Sequence, residues 1–328
     1  MRSALITGGA GFIGSHLAER LLRDGWEVYV IDNLSTGSVK NLDAVRDHEH
    51  FHLTLDSIEN EAALMELVDR ADVVYHLAAA VGVKLIVEDP VRTIETNIHG
   101  TELILQHCEK KGKKVLLAST SEVYGKGSRD TFSEGDDLVF GATTRARWAY
   151  GCSKAIDEFL ALAYCRSRNL PAVIMRFFNT VGPRQTGQYG MVIPRFVQQA
   201  LAGDPITVYG DGEQVRCFAH VADVVRGIVA LMSESKAEGR IFNIGSSDGI
   251  TINQLAEKVK AITGSDSEIV RIPYEQAYEA GFEDMRIRVP DTARVRELVG
   301  FEITRDIDQI IRDVAEYFRH QSSASSEQ

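Results

Sequence analysis

The first half of the chain alternates short apolar runs with longer amphipathic stretches. Ser3 to Thr7, Glu27 to Ile31, Phe51 to Leu55, Val73 to His76, Val115 to Ser119 and Ala172 to Arg176 read as strands, rich in Val, Ile, Leu and Tyr. Between them the apolar positions recur at helical spacing over Phe12–Arg23, Glu61–Val68, Val91–Lys110 and Ala149–Arg168. Nearly continuous apolar strands joined by amphipathic helices predict an α/β fold. Its core would be a doubly wound parallel sheet of the Rossmann type, covered on both faces by right-handed crossovers. After Asn179 the pattern breaks at Gly182-Pro183, Gly203-Asp204-Pro205 and Gly210-Asp211-Gly212, all turn signals. Helical spacing returns at Val192–Ala202, Val221–Ser233, Asn253–Thr263 and Asp306–Arg319, and Arg240 to Ile244 reads as a strand that returns to the sheet. These patterns predict a part built on the parallel sheet over 1–178 plus about 215–246. A smaller, discontinuous lobe would take about 179–214 and 247–319, and residues 320–328, rich in Ser and Gln, would form a disordered tail.

With 328 residues the chain suits one large domain or two joined lobes. The net charge of −11 argues against a nucleic-acid partner, which needs a basic face, but leaves room for a small anionic ligand held locally. No run is long and uncharged enough for a membrane span, and no signal peptide precedes Ala4, so a cytoplasmic enzyme is expected. Cys108, Cys152, Cys165 and Cys217 form no Cys-x-x-Cys pair. They read as small apolar residues in a reducing compartment rather than as metal ligands.

The strongest local signal is Thr7-Gly8-Gly9-Ala10-Gly11-Phe12-Ile13-Gly14, between a predicted strand and a predicted helix. Glycines there permit a tight turn, bring the backbone close to a pyrophosphate at the positive helix end, and let helix and strand pack closely. Asp32 ends the next strand at roughly the 20-residue interval expected of a ribose-binding acid. Its carboxylate can accept ribose hydroxyls and would repel a 2′-phosphate, which points to NAD rather than NADP. The bland alternative is a Gly-rich turn and a capping Asp.

Tyr150 and Lys154 stand four residues apart, on one face of a predicted helix. An ammonium beside a phenol favours the phenolate, as a general base requires. By itself the spacing is also that of a core Tyr with a snorkelling Lys. The apolar strand Val115–Ser119 leads into Thr120-Ser121-Glu122, and ligands of open α/β sheets bind beyond the strands' carboxyl ends. Thr120 can therefore hydrogen-bond a reacting hydroxyl and Glu122 can act as acid or base.

Taken together, Gly8–Gly14, Asp32, His76-Leu77-Ala78-Ala79, Thr96-Asn97, Thr120, Tyr150/Lys154 and Arg176-Phe177-Phe178-Asn179 resemble the extended short-chain dehydrogenases/reductases that modify nucleotide sugars. The resemblance runs from residue 1 to about Phe318. It implies that Asn33, Ser35, Thr36 and Gly37 wrap the adenosine ribose and that Asp56, Ser57 and Ile58 lie at the adenine, with either Asp56 or Ser57 making the contact. Leu77, Ala78 and Ala79 would line the cofactor, and Asn97 would stand near Lys154. On the substrate side it implies Val81, Ser121, Asn179, Arg184, Val192, Thr207, Tyr209, Gln214, Arg216 and Arg288, the last two as a diphosphate clamp. A homodimer through Val91–Lys110 and Ala149–Arg168 is implied in the same way.

Such enzymes share a 4-keto sugar intermediate, and its fate separates them. Thr120-Ser121-Glu122 lacks the acid of dTDP-glucose dehydratases. It is similar to UDP-glucuronate decarboxylases and to GDP-mannose 4,6-dehydratases. The stretches Asp136–Tyr164 and Phe178–Arg184 resemble the decarboxylases, whereas Ala80-Val81-Gly82-Val83 looks more like UDP-sugar 4-epimerases. The expectation is a UDP-glucuronate decarboxylase. A 4-epimerase, a GDP-sugar dehydratase and a non-catalytic NAD sensor are the alternatives.

Overall fold

The computed structural model describes residues 1–80, 90–127, 129–187, 191–273, 276 and 286–326. In chain order β1 is Ser3–Thr7, α1 Phe12–Arg23, β2 Glu27–Asp32, β3 Phe51–Leu55, α2 Glu61–Arg70 and β4 Val73–His76. Next come α3 (Pro90–Lys111), β5 (Lys114–Thr120), β6 (Thr131–Phe132), α4 (Trp148–Arg168), β7 (Ala172–Phe177) and β8 (Thr180–Val181). These are followed by α5 (Val192–Ala202), β9 (Ile206–Tyr209), β10 (Val215–Cys217), β11 (Ala219–His220), α6 (Val221–Ser233) and β12 (Arg240–Ile244). The chain closes with β13 (Gly249–Thr251), α7 (Ile252–Thr263), β14 (Ile269–Ile272), β15 (Ile287–Pro290), α8 (Ala293–Val299) and α9 (Ile307–Ser326).

A seven-stranded parallel sheet runs β12-β7-β5-β4-β1-β2-β3. Its central strands are buried because side chains alternate between two helical layers, while the edge strand β3 is partly exposed. In β1, Ala4 and Ile6 pack with Leu17, Leu21, Val224 and Ile228 of α1 and α6, while Leu5 packs with Leu64, Val68 and Ile104 of α2 and α3. The strand order reverses between β1 and β4, so the cleft beyond their carboxyl ends is the usual ligand position. Arg240–Ile244 returns to the sheet edge beside β7, as its pattern predicts.

A separate core forms from Phe196 and Val197 of α5, Val208 of β9, Leu255 and Val259 of α7, and Ile311 and Val314 of α9. Residues 215–217, read above with the parallel-sheet part, instead join a small sheet of order β13-β10-β15-β6 that bridges to the second lobe. The tail departs from expectation too: α9 runs through Ser326, past His320, where composition alone suggested disorder. Its helix is anchored by the buried stripe Ile310, Ile311, Val314 and Phe318, which a composition count does not weigh.

Candidate active site

The turn after β1 is shaped by contacts that only glycine allows. Gly8 has φ +72°, and a Cβ on Gly14 would lie 2.3 Å from the Gly8 carbonyl oxygen. The turn delivers Gly11 to the start of α1, whose first N–H groups face the cleft. At the end of β2, Asp32 accepts from the backbone N–H of Ala10 at 2.9 Å and of Leu34 at 2.8 Å. Burial raises its carboxyl above the ordinary value, against those two bonds. Gly37 packs its backbone on Ala10, where a Cβ would come within 2.9 Å of the carbonyl group. This cradle fits a dinucleotide: main-chain donors at a helix N-terminus for a pyrophosphate, and a carboxylate at the ribose.

A cleft of about 870 Å³ runs from this turn across the strand ends to the second lobe. Gly8, Gly11, Phe12, Ile13, Gly14, Asp32, Asn33, Ser35, Thr36, Asp56, Ser57, Ile58, Leu77, Ala78 and Ala79 line it. The Asp56 carboxylate is turned inward, accepting from Ser57 N–H at 2.7 Å and from Asn60 Nδ2 at 2.7 Å. Asn97 stands behind the wall, where its Oδ1 accepts from Ala80 N–H at 2.8 Å.

Thr120, Ser121, Glu122 and Tyr150 line the middle of the cleft. The Tyr150 phenol stands beside the Thr120 side chain, so strand β5 and helix α4 converge on one pair of hydroxyls. Burial, and then the Glu122 and Asp157 carboxylates, push the phenol above its ordinary value. Lys154 lies outside the cleft wall and donates from Nζ to Asp157 Oδ2 at 2.8 Å. The expected ammonium–phenol contact is therefore replaced in this structure by a buried ion pair.

At the far end Glu122 meets Arg288 Nη2 at 2.7 Å and Arg147 Nη2 at 3.6 Å. Burial would raise the Glu122 carboxyl, but Arg288, Arg147 and Arg216 outweigh it, and the group is held below its ordinary value. It is an anion at neutral pH, available as a base or a fixed charge rather than as a proton donor. Arg147 was not foreseen as a site residue. Its place just before α4, three residues from Tyr150, is the signal that could have marked it.

The second-lobe residues divide. Asn179, Arg184, Val192, Tyr209, Gln214, Arg216 and Arg288 line the cleft. Thr207 does not; its hydroxyl is 2.9 Å from Gln199 Nε2, one layer back. The Arg184 guanidinium reaches across to Glu19 and, at 3.2 Å, Ser15 on α1. Val81 lies outside the described residues. Lys40, Asn41, Tyr317 and Gln321 also border the cleft, and no motif announced them.

The model of the GDP-mannose 4,6-dehydratase family matches residues 5–314. The chain belongs to this family. Its members include relatives with several outcomes. The chain is 44% identical to a UDP-N-acetyl-alpha-D-glucosaminuronate decarboxylase of Bacillus cytotoxicus, over 97% of this chain and 98% of that one. It is 36% identical to UDP-glucuronic acid decarboxylase 1 of Xenopus tropicalis, over 96% of this chain and 72% of the relative. Among solved structures it is similar to the UDP-glucuronic acid 4-epimerase of Bacillus cereus, in complex with UDP-glucuronic acid and NAD. That match has a TM-score of 0.87 and 28% identity, covering 97% of this chain and 99% of the other. The nucleotide-sugar family expected from the motifs is thus the one to which the chain belongs. No helix among the described residues is long and apolar enough to cross a membrane.

Proposed function

We propose that this family member is an NAD-dependent decarboxylase of a UDP-hexuronate, working through a transient 4-keto sugar. The observation that carries the reading is the Glu122 corner. Three guanidinium groups, from Arg288, Arg147 and Arg216, act on one carboxylate there. Guanidinium groups gathered in this way suit a substrate that brings a carboxylate of its own. The two decarboxylase relatives, one matched end to end, support the same reading.

Bound in the glycine cradle, NAD would take the hydride from sugar C4 and later return it. Tyr150 would take the O4 proton, with the Thr120 hydroxyl aligning that oxygen. The resulting ketone is β to the uronate carboxylate, so the C5–C6 bond can break and CO₂ can leave. The electron pair then passes into an enolate at O4, which Tyr150 and Thr120 can hydrogen-bond. Protonation at C5 completes the loss. Glu122, held ionised, would order a water for that step. Asn179, Tyr209, Gln214 and Arg216 are proposed to hold the UDP portion, with Val192 beside it.

The end-to-end relative favours a 2-acetamido uronate, and the shorter match favours UDP-glucuronate. Incubation with each sugar and NAD, followed by mass analysis, tests the reading. Loss of CO₂ is the expected result, with one sugar turning over at least tenfold faster. An unchanged mass with altered chromatographic retention would instead establish the 4-epimerase. Tyr150→Phe should lower turnover by about 10² to 10⁴ while NAD still binds. A non-catalytic NAD sensor would keep its output in that variant.

A homodimer through α3 and α4 is proposed on the same footing. Phe159 and Val91 are exposed at 69% and 63%, with Ile156 and Ile94 also open on these paired helices. The free cysteines fit a reducing, cytoplasmic setting.

A further inference from the structure

Lys154 stands between two partners on α4: the Tyr150 phenol one turn back and the Asp157 carboxylate one turn ahead. The structure commits it to the carboxylate, at 2.8 Å, with side-chain exposures of 2% and 0%. Thr101 of α3 stands beside the same carboxylate. Its hydroxyl is 3.1 Å from His76 Nε2, and His76 Nδ1 is 2.8 Å from the Thr7 hydroxyl at the end of β1. A buried polar line therefore joins Lys154 to the strand end that carries the glycine turn.

We propose that Asp157 is a positioning residue: its carboxylate draws the Lys154 ammonium away from Tyr150 and so sets the pH above which that phenol serves as base. The inference rests on the proposed decarboxylase only for the task given to Tyr150. Its physical basis is charge pairing. An ammonium neutralised by a buried carboxylate exerts little field on its other neighbour. Without that carboxylate, the phenol one helical turn back can share the charge, and the phenolate is favoured. The other titratable groups facing this cluster are His76 from β4, Glu122 from the turn after β5, and Glu158 from α4. Arg288 and Arg147 already balance Glu122, and the Thr101 contribution from α3 is uncharged.

Two measurements test this. The Tyr150 phenol can be titrated in the cofactor-free protein by ultraviolet difference absorbance, with Tyr150→Phe as the blank for the other tyrosines. The pH profile of NAD reduction by the nucleotide sugar gives the second reading. Asp157→Asn should move the phenol titration down by about one pH unit, and the acid limb of the profile with it. Asp157→Glu should restore both. If Asp157→Asn fails to fold, Asp157→Ser, smaller and equally uncharged, should show the same shift. An unchanged or raised titration in the uncharged variant overturns the proposal, and so does an equal lowering in the Asp157→Asn/Lys154→Met double variant, where only lost burial or lost repulsion could act on the phenol. Failure of the wild type to release CO₂ from either uronate sugar would overturn the decarboxylase reading instead. The absorbance titration would still decide the role of Asp157.

Discussion

The glycine turn after β1 offers a ligand main-chain N–H groups and the end of a helix, whereas the Glu122 corner offers three guanidinium groups around one carboxylate. The first surface is fixed by backbone contacts so close that no side chain fits between them. The second is fixed by charge balance among side chains from the turn after β5, the residue before α4, and β15, brought together only by the finished fold. One consequence is that the two ends should fail differently. Damage to the turn should be steric and all-or-none. Damage to the corner should be graded, because a neighbouring arginine can redistribute.

The largest effect should come from Gly14→Ala. The added methyl meets the Gly8 carbonyl oxygen at 2.3 Å, so the turn must open. NAD affinity should fall by about a hundredfold or more, roughly 3 kcal/mol, as read by calorimetric titration. Retained affinity would mean that the cradle is softer than its contacts imply. Glu122→Gln should come next. It leaves Arg288 and Arg147 without their counter-charge, so the uronate sugar should bind as well or better while turnover falls about tenfold to a hundredfold. Equal losses in binding and turnover would show that the corner is as rigid as the turn.

The smallest effect concerns pH. Burial, helped by Lys154, lowers His76 from 6.5 to about 3, so the folded protein keeps this ring neutral. Between those values the unfolded chain binds the extra proton, and stability therefore falls as pH drops from about 6.5 toward 3. His76→Gln should remove part of that loss. Its melting temperature should differ less between about pH 7 and pH 5 than that of the wild type, whatever its absolute value.

The same contrast explains what was legible in the sequence. The glycine turn, α1 and Asp32 are local: strand, turn, helix and acid follow one another along the chain, and the helix bounds Phe12–Arg23 are those of the periodicity. The strand end at Thr120 and the helical Tyr150 were legible for the same reason. The charged corner was not. Arg288 entered only through family resemblance and Arg147 not at all, because no periodicity links them to Glu122. The small strands β6, β8, β10 and β11 are too short to show alternation, which is why the four-stranded sheet that includes residues 215–217 was not read from the sequence. Lys154 was rightly placed on the helix face beside Tyr150. Its choice of Asp157 over the phenol depended on a competing carboxylate that the four-residue motif does not include.

Arg184 holds a left-handed backbone, φ +71°, and grips Glu19 and Ser15 from across the cleft. A non-glycine residue pays about 1 to 3 kcal/mol for that conformation, so the grip must be worth keeping. Mechanically it is a hinge pin. The strand-bearing half and the helical half cannot slide apart along this edge without tearing an ion pair off α1. Loosening this edge would cost that ion pair, so Arg184 ties the substrate side of the cleft to the first turns of α1.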